Sequence, residues 1–239
     1  MRYSLHVLNI WAGRPGEEGG NAIVNLFVGN FNPSGKLNAN WPRSVGHVGS
    51  GSVPWYQSVR GKWVANARGE SDADGRVYDN YVDDDVNPPT PLFYFGSGLS
   101  FTKFTFSDLQ VVDGGNDRCT ESGGTLVTVS FNVTNVGSVD GAVVCQVYVA
   151  DPVGGAMVNV VRPWKRLAGF TKTFVRAGES VQGSVVLAFD DLAWSGDGSG
   201  SGKENLSERN VVSGEYTFSV GASSNEDGVR VKHSLCGGV

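Results

Sequence analysis

Residues 125–135 read TLVTVSFNVTN, and in them Val127, Val129, Phe131 and Val133 alternate with Thr128, Ser130, Asn132 and Thr134. Successive side chains of an extended strand point to opposite faces, so this stretch predicts a half-buried β-strand with its apolar residues turned inward. The same period of two recurs downstream. In 142–150, Val143, Cys145, Val147 and Val149 share a face. In 181–189 the set is Val181, Val185, Leu187 and Phe189, and in 215–222 it is Tyr216, Phe218, Val220 and Ala222. Phe104/Phe106, Val158/Val160 and Val229/Val231 mark shorter strands. Around seven short strands separated by turns predict a mainly β chain whose residues 104–235 form an immunoglobulin-like or fibronectin-like sandwich. Its expected inward set is Val127, Val129, Phe131, Val133, Val143, Cys145, Val147, Val149, Val185, Leu187, Phe189, Tyr216, Phe218 and Val220. The run SGDGSGSG at 195–202 reads as a flexible surface loop.

Upstream the pattern changes. Val7, Leu8 and Ile10 suggest a strand end, followed by Pro15-Gly16-Glu17-Glu18-Gly19-Gly20. Ala22, Ile23, Leu26 and Phe27 then fall on one face of a helix. Glu17 and Glu18 suit its positive end as caps, and Gly29 suits its exit. A strand, a Gly-rich turn and a helix suggest residues 1–45 as the end of an α/β layer. One such unit cannot bury its own faces, so it requires a partner. Residues 46–103 carry few regular signals and read as a connecting arm packed against something larger.

Composition narrows the function. The net charge is −5 with no basic block, which argues against a nucleic-acid partner. No apolar stretch approaches the roughly 20 residues of a membrane span, so no membrane partner is expected. Cys119, Cys145 and Cys236 make neither a disulfide framework nor a metal cluster, and Cys145 reads as a buried thiol in a strand. A Cys119–Cys236 bridge stays open. With only His6, His47 and His233, a histidine metal site is not expected. There is no Gly-rich phosphate loop and no Ser/His/Asp or Cys/His constellation, and no cofactor is expected.

Single residues invite sharper readings. Glu17 and Glu18 are a tempting acid/base pair, but a tandem at a helix start is more often a dipole-favoured cap. Asp83, Asp84 and Asp85 lack the spacing of a calcium loop and read as a solvated acidic loop. Trp11, Trp41, Trp55 and Trp63 read as anchors into a neighbouring domain rather than sugar-stacking rings, and Tyr148, Trp164 and Trp194 as packing residues of the sandwich. Asn132-Val133-Thr134 and Asn205-Leu206-Ser207 are glycosylation sequons, relevant only in the secretory path. Asn205, in a flexible stretch, is the better acceptor, and Asn132 lies on the polar face of a strand.

Several segments together resemble one family. Trp11-Ala12-Gly13-Arg14-Pro15-Gly16-Glu17-Glu18-Gly19-Gly20 is similar to the W…PG.EGG turn of family 3 glycoside hydrolases. Residues 26–37, LFVGNFNPSGKL, resemble their LFGDYNPSGRL stretch, and Trp41-Pro42-Arg43-Ser44 follows in step. Residues 95–102, FGSGLSFT, resemble FGYGLSYT, and residues 162–170, RPWKRLAGF, resemble RPVKELKGF. Asn135-Val136-Gly137, Asp140-Gly141, Gln146-Val147-Tyr148-Val149 and Gly214-Glu215-Tyr216 look like parts of that family's fibronectin type III-like domain. The shared order covers nearly the whole chain, although residues 1–10 match poorly.

The resemblance implies the C-terminal portion of a β-glucosidase or β-xylosidase. Such retaining enzymes hold two carboxylates roughly 5 Å apart. In the family the nucleophile is an Asp in a preceding barrel domain, and the acid/base is generally a Glu upstream of the W…PG.EGG turn. Neither position falls in this sequence, so no catalytic, substrate-binding or metal-binding residue is carried over. The implied partners are the barrel and α/β domains of the parent enzyme, with carbohydrate bound only by the whole, and a secretory-pathway compartment would suit that parent. The rival reading is a non-catalytic β-sandwich module that binds carbohydrate or protein. The half α/β unit at the N-terminal side speaks against it, because a free-standing module has no use for one.

Overall fold

The computed structural model describes residues 10–41, 92–114, 125–152, 165–195, 209–211, 213–225 and 228–235. Two antiparallel sheets face each other. The first has three strands in the order β1 (Phe104–Asp113), β2 (Thr125–Asn135) and β5 (Ser180–Ala188). The second has four, in the order β4 (Arg166–Val175), β3 (Gly141–Ala150), β8 (Gly214–Gly221) and β9 (Val229–Leu235). A short α2 (Phe189–Leu192) follows β5, and β6 (Trp194–Ser195) pairs with β7 (Arg209–Asn210). Seven strands thus build the two sheets of a fibronectin type III-like sandwich.

Period-2 alternation decides which side chains meet between the sheets. Val127, Val129, Phe131 and Val133 of β2 are at most 1% exposed, and Thr128, Ser130, Asn132 and Thr134 are half-buried on the other face. All fourteen residues of the expected inward set are buried, including Cys145, Tyr216 and Phe218 at 0%. Phe131 anchors the three-stranded sheet. Its ring lies edge-on to Phe106 at 6.2 Å between centroids. Across β2–β5 it faces Gly183, where an added Cβ would sit 2.6 Å from the ring. Glycine at 183 leaves the room that the aromatic fills.

The strands differ from expectation at three places. Phe189 is buried, but it opens α2 instead of ending a strand. The reason is local: Asp191 Oδ2 accepts the Ala188 N–H at 2.7 Å and turns the chain. The short Phe104/Phe106 strand extends to Asp113, interrupted by a bulge between Ser107 and Gln110 where Asp108 takes φ 52°. And β4 had no period-2 signal, because its polarity is inverted. Register with β3 turns Gly169, Thr171 and Thr173 toward the core and leaves Phe170 and Phe174 outside. Gly169 is required there, since a Cβ would lie 2.6 Å from Val185 on the facing sheet. The expected Val158/Val160 strand lies outside the described residues.

Helix α1 (Gly19–Phe27) sits where the apolar spacing placed it. It ends in a Schellman closure. Gly29 at φ 78° donates to the Leu26 carbonyl at 3.2 Å, and Asn30 donates to Asn25 at 2.9 Å. Its beginning is not capped as expected. Glu18 is the N-cap residue, but its side chain takes no backbone N–H. Its carboxylate instead accepts the Asn21 side-chain amide at 2.6 Å.

Candidate functional site

Two extended segments flanking residues 42–91 zip together. Leu37 donates to the Ser97 carbonyl at 2.9 Å and Gly96 donates to Leu37 at 2.7 Å. Trp41 donates to Phe93 at 2.8 Å, and Leu92 to Trp41 at 2.7 Å. Asn40 Oδ1 accepts the Phe95 N–H at 2.6 Å. Residues 92–103, read from sequence as part of a connecting arm, are hydrogen-bonded to the segment that follows α1.

This paired segment is fastened to the sandwich by three carboxamides. Asn32 Oδ1 accepts from Ser100 Oγ and from the Phe101 N–H, both at 2.8 Å, and its Nδ2 donates to the Asp140 carbonyl at 2.9 Å. Asn135, 0% exposed, donates to the carbonyls of Val139 and Val175 at 2.8 and 3.0 Å, while its Oδ1 accepts from Thr102 Oγ1 and the Gly137 N–H. Gln146, on the outward side of β3 yet only 3% exposed, donates to Gly96 at 3.2 Å and to Ala222 at 2.7 Å. Its Oε1 accepts the Tyr148 hydroxyl at 2.5 Å. Two backbone bonds add to these: Ser224 donates to Phe95 at 2.9 Å, and Val136 to Lys103 at 2.9 Å. A carboxamide presents donor and acceptor side by side, so one side chain can satisfy backbone groups of two segments at once. Together these bonds join the paired segment to β2, β3 and β8.

Helix α1 leaves apolar side chains open to solvent. No residue of α1 is buried. Ile23 and Leu26 are half-buried, whereas Ala22 and Phe27 of the same expected face are exposed. Val24, Phe27, Val28 and Phe31 are 56–65% exposed. Trp11, 71% exposed, meets Trp41 edge-on at 5.1 Å, and Trp41 meets Phe93 at 6.0 Å. Asn40 Nδ2 is buried in this region with no protein partner. An open apolar patch of this kind marks an interaction surface.

Glu17 and Glu18 are both exposed. Among the described residues no three His, Cys, Asp or Glu side chains gather to hold a metal, and no helix is long and apolar enough to cross a membrane. Cys145 is a free, buried thiol, 4.0 Å from Thr173 Oγ1. Burial pushes its pKa up to about 11, against smaller opposing effects of Thr173 and Lys36. Tyr148 is buried on the outward face, with Lys165 Nζ 5.1 Å from its ring centre. Asn132 Nδ2 donates to Asp108 Oδ2 at 2.8 Å. Asp83, Asp84, Asp85, Trp55, Trp63, Trp164, Asn205, Cys119 and Cys236 lie outside the described residues, as does the Trp194 side chain. Sequence reasoning missed Asn32, Gln146 and Asn135 as joint residues. Only Asn135 left a signal, as the next inward position after Val133.

The described residues thus form a fibronectin type III-like sandwich joined by hydrogen bonds to an upstream segment that carries α1. Residues 8–101 match the glycosyl hydrolase family 3 C-terminal domain, and residues 143–224 match the fibronectin type III-like domain. The β-glucosidase cel3A of Pyricularia oryzae is 33% identical over 95% of this chain, which spans 29% of that enzyme. A β-xylosidase of Formosa agariphila is also 33% identical, over 94% of the chain and 26% of its own length. Among solved structures, the β-D-glucoside glucohydrolase of Trichoderma reesei superposes with a TM-score of 0.66 at 29% identity, covering 94% of this chain and 30% of that one. The chain belongs to glycoside hydrolase family 3 and corresponds to the C-terminal portion of its members. It spans less than a third of the length of these relatives.

Proposed function

We propose that this chain is the structural C-terminal portion of a β-glucosidase-type hydrolase, that it carries neither the nucleophile nor the acid/base, and that alone it is inactive. Hydrolysis of O-glycosyl bonds belongs to the assembly with a barrel and the rest of an α/β domain. The observation that carries this reading is α1: a regular helix with no buried side chain, followed by a segment that is hydrogen-bonded to the sandwich. A helix of this length gains most of its stability from packing, so its bare apolar face implies a covering body. Bracing that body is the contribution of these residues.

The test is release of a chromogenic leaving group from aryl glucosides and xylosides by rigorously purified chain. No turnover is expected, since each missing catalytic group is worth orders of magnitude in rate. Turnover that survives repeated purification and follows protein concentration overturns the proposal.

A further inference from the structure

We propose that Asn132 is an N-glycosylation site whose glycan stands on the outward face of the three-stranded sheet. The sequence alone ranks it below Asn205, because a strand position is ordinarily crowded by its neighbours. Here the neighbours are small. Asn132 lies half-buried in β2, the middle strand, on the face opposite Phe131 and Val133. In register with it are Ser107 on β1 and Gln182 on β5. Along β2 the same face carries Ser130 and Thr134, and the diagonal places on β5 are Ser180 and Ser184. A Thr and a Gln fill the diagonal places on β1. A sugar attached to Asn132 therefore meets short hydroxylated side chains and flexible carboxamides, which can hydrogen-bond its hydroxyl and acetamido groups.

The acceptor nitrogen is oriented and still has a hydrogen to lose. An Asn amide nitrogen bears two hydrogens. One is donated to Asp108 Oδ2 at 2.8 Å, which leaves the other for substitution. Asp108 sits in the β1 bulge at φ 52°, and the same Oδ2 accepts Ser107 Oγ at 2.9 Å. The carboxylate that aims the amide is thus placed by the β1 backbone.

The fold also fixes when the reaction occurs. In the native sheet β2 is paired on both sides, and the Thr134 hydroxyl, the third residue of the sequon, donates to Ser180 Oγ at 3.0 Å. The transferase of the secretory path must therefore read Asn132-Val133-Thr134 on the extended chain, before the sheet closes. The amide nitrogen attacks C1 of an oligosaccharide carried on a polyprenyl diphosphate. The N–C1 bond forms, the C1–O bond breaks, the diphosphate leaves with the electron pair, and the nitrogen gives up one proton. The sheet then closes with the glycan outside, where a bulky, solubilising group is carried in water.

The test delivers the full chain to the lumen of a eukaryotic secretory host, behind a cleavable signal and with a reporter sequon on an appended tail. Monomeric protein is digested with peptide N-glycosidase in heavy-oxygen water, which marks each glycan-bearing Asn for mass spectrometry. Most monomers are expected to be marked at Asn132. Thr134→Ala is expected to lose that mark completely and keep the reporter's. Trimming the glycan to one sugar should leave the melting temperature unchanged. The readings are repeated in Phe27→Lys, so that aggregation through the exposed ring of α1 does not decide the result. A bare Asn132 beside a marked reporter overturns the proposal. So does a mark confined to aggregated chains, or monomer recovered only from Asn132→Gln.

Discussion

Gly96 stands against Gln146. Its carbonyl accepts the Gln146 side-chain amide at 3.2 Å, its φ is 79°, and a Cβ there would overlap Gln146 Oε1. Left-handed backbone and contact with a buried carboxamide both demand glycine at this place. The pair joins residues 50 apart in sequence and fastens the joint segment to β3.

Gln146→Leu is expected to strip the joint of two donor contacts and leave the Gly96 and Ala222 carbonyls without them. The loss should be about 1–3 kcal/mol, the usual consequence of an unsatisfied buried group. Gly96→Ala should lose a similar amount through left-handed strain and overlap. Denaturant melts measure the loss, and amide exchange should speed at residues 95–97 before it does in β2.

Phe131→Ala should destabilise the sandwich by about 3–5 kcal/mol, combining lost transfer energy with an unfilled cavity. Thr128→Ala, on the opposite face of the same strand, should stay within about 0.5 kcal/mol. Equal losses in chemical denaturation would contradict the assignment of faces.

Gly183→Ala should cost about 1–3 kcal/mol by overpacking, although alanine suits a strand no worse than glycine. Its methyl would meet the Phe131 ring at 2.6 Å. In the Phe131→Leu background the same change should be less harmful. A double-mutant cycle reads the coupling directly, and strict additivity would rule the contact out.

Cys145 gives the sandwich an alkaline sensitivity. Burial moves its thiol from an ordinary 9.0 to about 11. Between those values the unfolded chain has lost the proton and the native chain keeps it. Stability is therefore fully present below about pH 9 and declines as pH rises toward 11. At about 1.4 kcal/mol per pH unit, two units make the full loss on the order of 3 kcal/mol. Melts at pH 8 and 10.5 should show this extra decline in wild type and its absence in Cys145→Ala.

Helix α1 should exchange its amides far faster than β2 in the chain alone. Its side chains are half-buried at best, whereas four residues of β2 are at most 1% exposed. Protection across Ile23–Val28 equal to that across Val127–Val133, measured on monomeric protein, would show that the helix needs no covering body.

What the sequence determined by itself was local and periodic. Alternation in TLVTVSFNVTN assigns Val127 through Val133 to the core because neighbouring side chains of a strand must point apart. Spacing from Ala22 to Phe27, with Gly29 beyond, placed α1 for an equally local reason. Tertiary structure decided the rest. Strand β4 turns Thr171 and Thr173 inward and Phe170 and Phe174 outward because its register with β3 sets the faces, and Gly169 admits Val185 from the facing sheet, demands that no neighbour in sequence announces. The joint is longer in range still: Asn32 finds Asp140 across 108 residues, and Thr102 finds Asn135 across 33. Hydrogen-bond partners so far apart leave no period in the chain. Their pairing exists only once the two sheets have closed and brought the ends of β2 and β3 beside the segment that leaves α1.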